Sequence, residues 1–316
     1  VTTTRLAALG DIVDQTATVL QRAWPAPAVH YSLDYCGWQF RFPGERAAMA
    51  AATFDGDRVV GSLVAVPRRL SLGGRVEPVW LLSFLGVDPE YQRRGIAREL
   101  YGTMLPKVAD SGWPMIVFAK TDTAGHKLIV SEPEANGMVG TSLGDYVIHG
   151  FMDRGRGAPL AVETCDDVSA LAIADGPDGV LCSRPDLLQL QHYTCRSEHR
   201  IAVVRDAGGA VVGAAVVNRT EYGTQKGREW AAIVDSFLIP PASAEALQSL
   251  LSYVVTELGT AGGPPVCTVP NVTGLDGDWF RPVGLRRTPT SYGGIIYSTR
   301  ADHPFLTASR TNLEIV

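Results

Sequence analysis

The sequence predicts an α/β protein made of two tandem copies of one strand–helix unit, and three observations lead there. First, the halves repeat at a constant offset of 152 residues: Val59-Val60-Gly61 returns as Val211-Val212-Gly213, and the turn Asp55-Gly56-Asp57 as Ala207-Gly208-Gly209. Second, strand-like apolar runs alternate with helical patterns in the same order in both halves. Third, 316 residues with 46% hydrophobic content suit two globular domains of about 150 residues each.

The elements follow in order. Ala47–Phe54 and Arg58–Arg68 flank the first turn as a β-hairpin, and Arg200–Asp206 and Ala210–Thr220 flank the second. The central strand Trp80–Val87 runs into Asp88-Pro89, and its copy Val234–Ile239 into Pro240-Pro241. A helix from Ile96 places Ile96, Leu100, Tyr101, Met104, Leu105 and Val108 on one face. Its copy, Ala242–Leu258, does the same with Leu247, Leu250, Leu251, Val254, Val255 and Leu258. Pro106 is expected to end or kink the first helix early, because proline removes a donor and crowds the preceding turn. The strands Trp113–Lys120 and Pro265–Val269 come next, and Asp34–Phe40 maps onto Asp186–His192. The glycine- and charge-rich stretch Asp153–Pro159 reads as the linker, giving domains at 1–153 and 160–316.

Gln92-Arg93-Arg94-Gly95-Ile96-Ala97 carries the chemistry. A strand, a glycine-bearing turn and a helix start together make an anion site. The first N–H groups of the helix have no internal partner, its dipole is positive there, and Gly95 lets a phosphate approach the backbone. Arg93 and Arg94 add charge. The segment resembles the pyrophosphate loop of the GCN5-related N-acetyltransferase (GNAT) superfamily, Gln/Arg-x-x-Gly-x-Gly/Ala after Val-x-Pro. Val87-Asp88-Pro89, Gln92, Gly95 and Ala97 match that pattern.

The resemblance implies two tandem GNAT folds, each with a mixed, mostly antiparallel sheet flanked by helices, and acyl-CoA as co-substrate. The N–H groups from Gln92 through Arg93, Arg94, Gly95 and Ile96 to Ala97 would hold the pyrophosphate, while the preceding strand pairs with the pantetheine. N–H groups near Leu85 and Val87 would polarise the thioester carbonyl. At the constant offset, Gln92, Gly95 and Ala97 become Ala244, Leu247 and Ser249, with no glycine and no basic pair. One coenzyme site is therefore expected, in the first copy. The degenerate second copy would supply packing, acceptor binding or catalytic side chains.

Acylation of an amine needs a group that accepts a proton. Trp80–Val87 contains no carboxylate where many relatives place a glutamate, and its polar side chain is Ser83. His192, aligned by the repeat with Phe40, is the expected base, since imidazole titrates near neutrality; Tyr193 and Glu198 stand close by in sequence. Asp235, at the position of Ser83, competes with it. His126 follows the strand after which relatives often carry a thiolate-protonating tyrosine, and that segment has none. His30, His149, His199 and His303 have no supporting context, and no cluster has metal-ligand spacing. Tyr31, Trp38 and Tyr222 are candidates for an acceptor wall, and the polar tip Gly223–Arg228 for a loop over it.

A net charge of −5 argues against nucleic acid as a general partner. No run of 18 apolar residues appears, so no membrane helix is expected, and the first residues lack a signal-peptide core. Five cysteines without a C-x-x-C pair favour reduced thiols and the cytoplasm. Over its whole length the chain also resembles the N-acyltransferases of teicoplanin-type glycopeptide antibiotic biosynthesis. That likeness implies a long acyl chain passed to the amine of a glucosamine on a glycopeptide core. A mycothiol-synthase-like or self-resistance acetyltransferase, and a non-catalytic acyl-CoA sensor, are the alternatives.

Overall fold

The computed structural model describes residues 1–26, 28–152, 157–171, 173, 178–196, 198–224, 227–258, 266–269, 275 and 277–312. The first half comprises β1 (Thr2–Ala7), α1 (Leu9–Ala23), β2 (Ala28–Val29), α2 (Leu33–Phe40), β3 (Met49–Asp55), β4 (Arg58–Leu72), β5 (Arg75–Val87), α3 (Ile96–Asp110), β6 (Met115–Lys120), α4 (Ala124–Ala135) and β7 (Val139–Met152). The second comprises β8 (Ala161–Thr164), β9 (Val180–Ser183), α5 (Leu187–Thr194), β10 (His199–Arg205), β11 (Val211–Thr224), β12 (Gly227–Ile239), α6 (Ala244–Leu258), β13 (Val266–Val269), α7 (Phe280–Val283), β14 (Leu285–Ser298) and β15 (Arg310–Asn312). The expected strands and helices are present among the described residues, with β4 and β11 running further than the sequence suggests.

Period-2 alternation decides which side of the sheet each residue takes. Ala51, Leu63 and Leu82 pack beneath α3 with Leu100, Met104 and Leu105. Ala202, Val204, Ala215 and Val217 pack beneath α6 in the same way. The intervening residues Ala50, Ala52, Val64 and Val66 face the opposite side, as do Ile201, Val203 and Val216. There they meet α1, α2 and α5 in one core common to both halves.

The strands run β1-β3-β4-β5-β6-β14-β7-β13-β12-β11-β10-β8 through one mixed sheet. The order is a palindrome of the repeat. Each half has a parallel central pair, β5 with β6 and β12 with β13, and its hairpins are antiparallel. The middle is exchanged: β14 of the second half pairs with β6, and β7 of the first pairs with β13. The two exchanged strands also pair with each other. Gly140 makes the seam possible, because a Cβ there would lie 2.3 Å from the Tyr297 ring. The Tyr297 hydroxyl donates to the Ile129 carbonyl at 2.9 Å, fastening α4 of one half to β14 of the other.

A second tie joins α2 and α5. Trp38 Nε1 donates to the His192 carbonyl, and His192 Nε2 contacts the Trp38 carbonyl, each at 3.0 Å. Both helices are capped by a side chain, Ser32 for α2 and Asp186 for α5. Counted from these caps, His192 is the counterpart of Trp38 and not of Phe40.

Two further expectations are corrected. Helix α3 continues through Pro106 to Asp110, because Pro106 sits on the exposed side while Met104, Leu105 and Val108 remain buried. The lost hydrogen bond thus falls where the Gly102 carbonyl reaches water. The repeat offset is also not constant. Eight residues (88–95) separate β5 from α3, but four (240–243) separate β12 from α6. Ala244, Leu247 and Ser249 accordingly belong to the second helix itself, and the loop has been shortened by four residues. Residues 153–156 of the expected linker lie outside the described residues, as does Asp153 at the expected domain end. The linker's remainder leans on α6, where Gln248 and Ser252 both donate to the Gly157 carbonyl at 3.1 Å.

A fragment ending at Arg156 keeps β6 and β7 but lacks the strand between them. Expressed alone it should aggregate, since it exposes two unpaired ladders. A monomeric fragment with a cooperative urea transition would contradict that expectation.

Candidate active site

Asp88 organises the turn after β5. Its carboxylate is 1% exposed and accepts from Arg58 at 2.6 Å and Arg22 at 2.8 Å. Its other oxygen accepts from the Glu90 amide at 3.1 Å, starting a short 3₁₀ turn over Pro89–Tyr91. Tyr91 donates to Asp55 at 2.6 Å, and the Arg94 guanidinium lies over its ring while donating to the Glu90 carbonyl. These bonds hold residues 88–91 from below and leave Gln92, Arg93, Arg94 and Gly95 exposed.

Gly95 caps α3 in the left-handed region at φ 83°, with open space where a Cβ would stand and no side-chain cap on the helix. Arg93 is also left-handed, at φ 62°. The opening N–H groups at Ile96 and Ala97 are thereby aimed outward, unclaimed by any capping side chain. This is the arrangement an anion needs at a helix start.

Beside the loop the sheet opens. The β5–β6 ladder ends at Leu82–Val117, although both strands continue. Just beyond, Phe84 and Leu85 form a bulge against β4, and Phe84 adopts φ 55°. A parallel pair that separates at a bulge leaves backbone groups of one strand open to an extended ligand. Leu85 and Val87 lie along this stretch. Trp24, at the end of α1, donates its indole N–H to the Leu85 carbonyl at 3.0 Å, a contact with no signal in the sequence. Phe84 packs edge-on to Phe40 and Tyr31.

From Trp24 the chain crosses to the second half. β2 pairs with β11 opposite Tyr222 and Gly223, and the His30 amide donates to the Glu221 carbonyl at 2.8 Å. Tyr31 thus stands on a strap joining the opened strand to the second half's hairpin. Trp38 is buried further in and is not part of that wall. Of the polar hairpin tip, residues 225–226 lie outside the described residues.

His192 stacks on Trp38 at 5.3 Å and meets Phe42 edge-on, inside the tie between α2 and α5. Burial lowers its pKa, against a smaller opposing effect of the Trp38 carbonyl. With Nε2 committed to that carbonyl, the ring does for α5 what the Trp38 indole does for α2. The geometry gives it a structural duty in the tie between the two helices. Asp235 is 8% exposed, sits in a bulge of β12 and accepts from Asn218 Nδ2. His126 lies over β14 at Gly293.

His199, set aside by sequence, is 3% exposed and also stacked on Trp38, at 4.3 Å. Burial, reinforced by Arg196, His192 and Arg200, pushes its pKa down to about 3. Among the described residues no cluster could hold a metal ion, no helix is long and apolar enough to cross a membrane, and Cys36, Cys165 and Cys195 are free thiols.

Residues 8–121 match the acetyltransferase (GNAT) domain family. The whole fold is similar to Saccharomyces cerevisiae N-myristoyltransferase with bound myristoyl-CoA, at TM-score 0.69 and 11% identity over 99% of this chain and 89% of that one. A putative acetyltransferase from Pyrococcus horikoshii aligns at TM-score 0.64 and 15% identity, covering 98% and 94%. A GCN5-related N-acetyltransferase from Kribbella flavida aligns at 0.53 and 18%, covering 93% and 71%. No curated protein matches the sequence. The first half carries a GNAT domain, the chain has a GNAT-like α/β fold, and its enzyme class is acyltransferase.

Asp88→Asn should cost about 1–3 kcal/mol, because Arg22 and Arg58 lose their common carboxylate; the urea midpoint reads the loss. His199 makes the fold acid-sensitive. Its folded pKa lies below the ordinary 6.5, so the unfolded chain binds the proton first. Stability should be complete above pH 6.5 and fall as pH drops from there toward about 3. Urea midpoints at pH 7 and 4.5 should differ less in His199→Phe than in the parent.

Proposed function

We propose that this chain is an acyl-CoA-dependent N-acyltransferase with a single coenzyme site, in its first half. The observation that carries the proposal is the uncapped start of α3 behind Gln92–Gly95, placed beside the strand pair that opens after Leu82. Backbone N–H groups from Gln92 to Ala97 would take the pyrophosphate, and the free edge of β5 the pantetheine. N–H groups at Leu85 and Val87 would stabilise charge on the thioester oxygen. Myristoyl-CoA bound to the yeast neighbour is consistent with an acyl-CoA ligand. The amine nitrogen attacks the carbonyl carbon, the C–S bond breaks, and the amine proton passes to water. The last step is assigned to water because β5 carries no carboxylate and His192 Nε2 is engaged.

The acceptor proposed is the amine of a glucosamine on a glycopeptide core, and the acyl group a long one. The support is the whole-chain resemblance to the teicoplanin-type enzymes, together with the strap that sets Tyr31 beside Phe84 and near the second half's hairpin. The proposed location is the cytoplasm, where acyl-CoA is formed.

Isothermal titration with coenzyme A should give one equivalent per chain. Gly95→Glu should abolish the binding without unfolding the protein, since the position is exposed and open but requires φ 83°. Two equivalents, or unchanged binding in Gly95→Glu, would refute the single site. Mass spectrometry of acetyl-CoA and decanoyl-CoA incubations with glucosamine and with a glucosaminyl glycopeptide tests acyl length and acceptor. Absence of any turnover with coenzyme bound would favour a sensor.

A further inference from the structure

Past Leu82 the backbone of β5 turns polar groups toward the opening, and the pairing with β4 says which. Gly86 pairs with Ser62, and the Asp88 N–H donates to the Val60 carbonyl at 2.9 Å, so these two residues direct their backbone groups toward β4. In an antiparallel pair the flanking residues point the other way. The N–H and C=O groups of Leu85 and Val87 therefore face the opening, beyond the last β5–β6 pair at Leu82–Val117.

A strand edge offers donors and acceptors together. Here both acceptors are already engaged. The Trp24 indole N–H donates to the Leu85 carbonyl at 3.0 Å, and Gln92 Nε2 donates to the Val87 carbonyl at 3.2 Å. Neither donor belongs to the sheet: Trp24 closes α1, and Gln92 opens the anion loop. What the edge still presents is its N–H groups. A ligand lying along it must bring oxygen acceptors.

The end of α1 is fixed in place for this. Gly86 lets the helix approach, since a Cβ there would lie 3.0 Å from Leu20 and 3.4 Å from Val19. Arg22, on the same last turn, reaches Asp88 at 2.8 Å and Glu90 at 2.9 Å. Trp24 itself is 45% exposed, so its bond to Leu85 places it more than packing does. An unengaged carbonyl at this edge would repel the negative charge that develops on a thioester oxygen during attack. A hydrogen-bonded carbonyl is screened and fixed in direction, as a preorganised site requires.

We propose that Trp24 and Gln92 are positioning residues for acyl transfer: by occupying the Leu85 and Val87 carbonyls, they leave an edge of N–H groups to receive the thioester oxygen. The inference rests on the acyl-CoA reading of this site. Each side chain acts through the carbonyl it holds and takes no part in bond making.

The test uses the full chain and acetyl-CoA labelled with heavy carbon at the thioester carbonyl, read by isotope-edited infrared spectroscopy. Bound to the parent, the carbonyl band should lie at lower frequency than in buffer, because hydrogen bonds to the oxygen weaken the C=O bond. In Trp24→Phe most of that displacement should be lost. Coenzyme A, which lacks the carbonyl, should bind this variant with parent-like affinity by calorimetry. Gln92→Leu, a change on an exposed loop, should lose part of the displacement, and it decides the matter if Trp24→Phe does not fold. A parent band at its buffer frequency, or a displacement undiminished in the folded variants, overturns this inference alone. So does an equal loss of affinity for coenzyme A and acetyl-CoA with the band unmoved, which would give Trp24 a merely structural part. Failure of the parent to bind acetyl-CoA overturns the acyltransferase reading and this inference with it.

Discussion

The ladder between β6 and β14 is the constraint on which the rest of the molecule depends. Six successive pairs, from Tyr292–Lys120 to Tyr297–Met115, join a strand of the second half to the strand that borders the opened edge of β5. Without β14, β6 has β5 alone as a neighbour, and only as far as Leu82–Val117. A strand that must diverge from one partner to create a ligand groove needs a firm second partner to hold its direction. That partner comes from the other half. The Tyr297–Ile129 bond extends the same restraint to α4. The anion loop, the opened strand pair and the helix beneath them are therefore set by residues nearly two hundred positions away.

How much of this could be read from sequence depends on range. Strands, hairpin turns and the loop at Gln92–Ala97 are written in local periodicity and in glycine and proline positions, and they appear where expected. The helix through Pro106 was misjudged because exposure, not composition, decides whether a lost hydrogen bond matters. The exchange of β7 and β14 has no local signature: each is an alternating strand that would suit either neighbour. The shortened loop after β12 is concealed by a repeat that is in register from the hairpin at Val211–Gly213 up to Ile239 and is shifted from Ala244 onward. A separate, earlier shift of two residues misaligned His192, which is matched to Trp38 only through the caps Ser32 and Asp186. Asp88 was visible as part of Val-Asp-Pro, but not its two arginine partners, which come from α1 and β4.

The two halves have diverged by different means on one scaffold. The turn between central strand and helix has eight residues in the first half and four in the second, so the glycine-bearing loop has no counterpart there and the chain passes straight from strand to helix. The bulge beside that turn survived. In the first half it turns Phe84 into an aromatic core with Phe40 and Tyr31. In the second it sets Asp235 where Asn218 Nδ2 donates to its carboxylate. Both bulges redirect side chains of the central strand, to different neighbours in the two halves.

The palindromic strand order also has a historical reading. Cutting the chain between its halves leaves two units, each lacking the strand that the other holds. A single unit of this kind could have completed its sheet only by lending its last strand to a second copy, a strand-swapped dimer with two-fold symmetry. The reciprocal Trp38–His192 contacts lie where such an axis would pass. Fusion of the two genes would have made the exchange permanent while releasing one subunit from the need to bind coenzyme. The present asymmetry is then what a symmetric ancestor gained by becoming one polypeptide: the freedom to let identical sites become different.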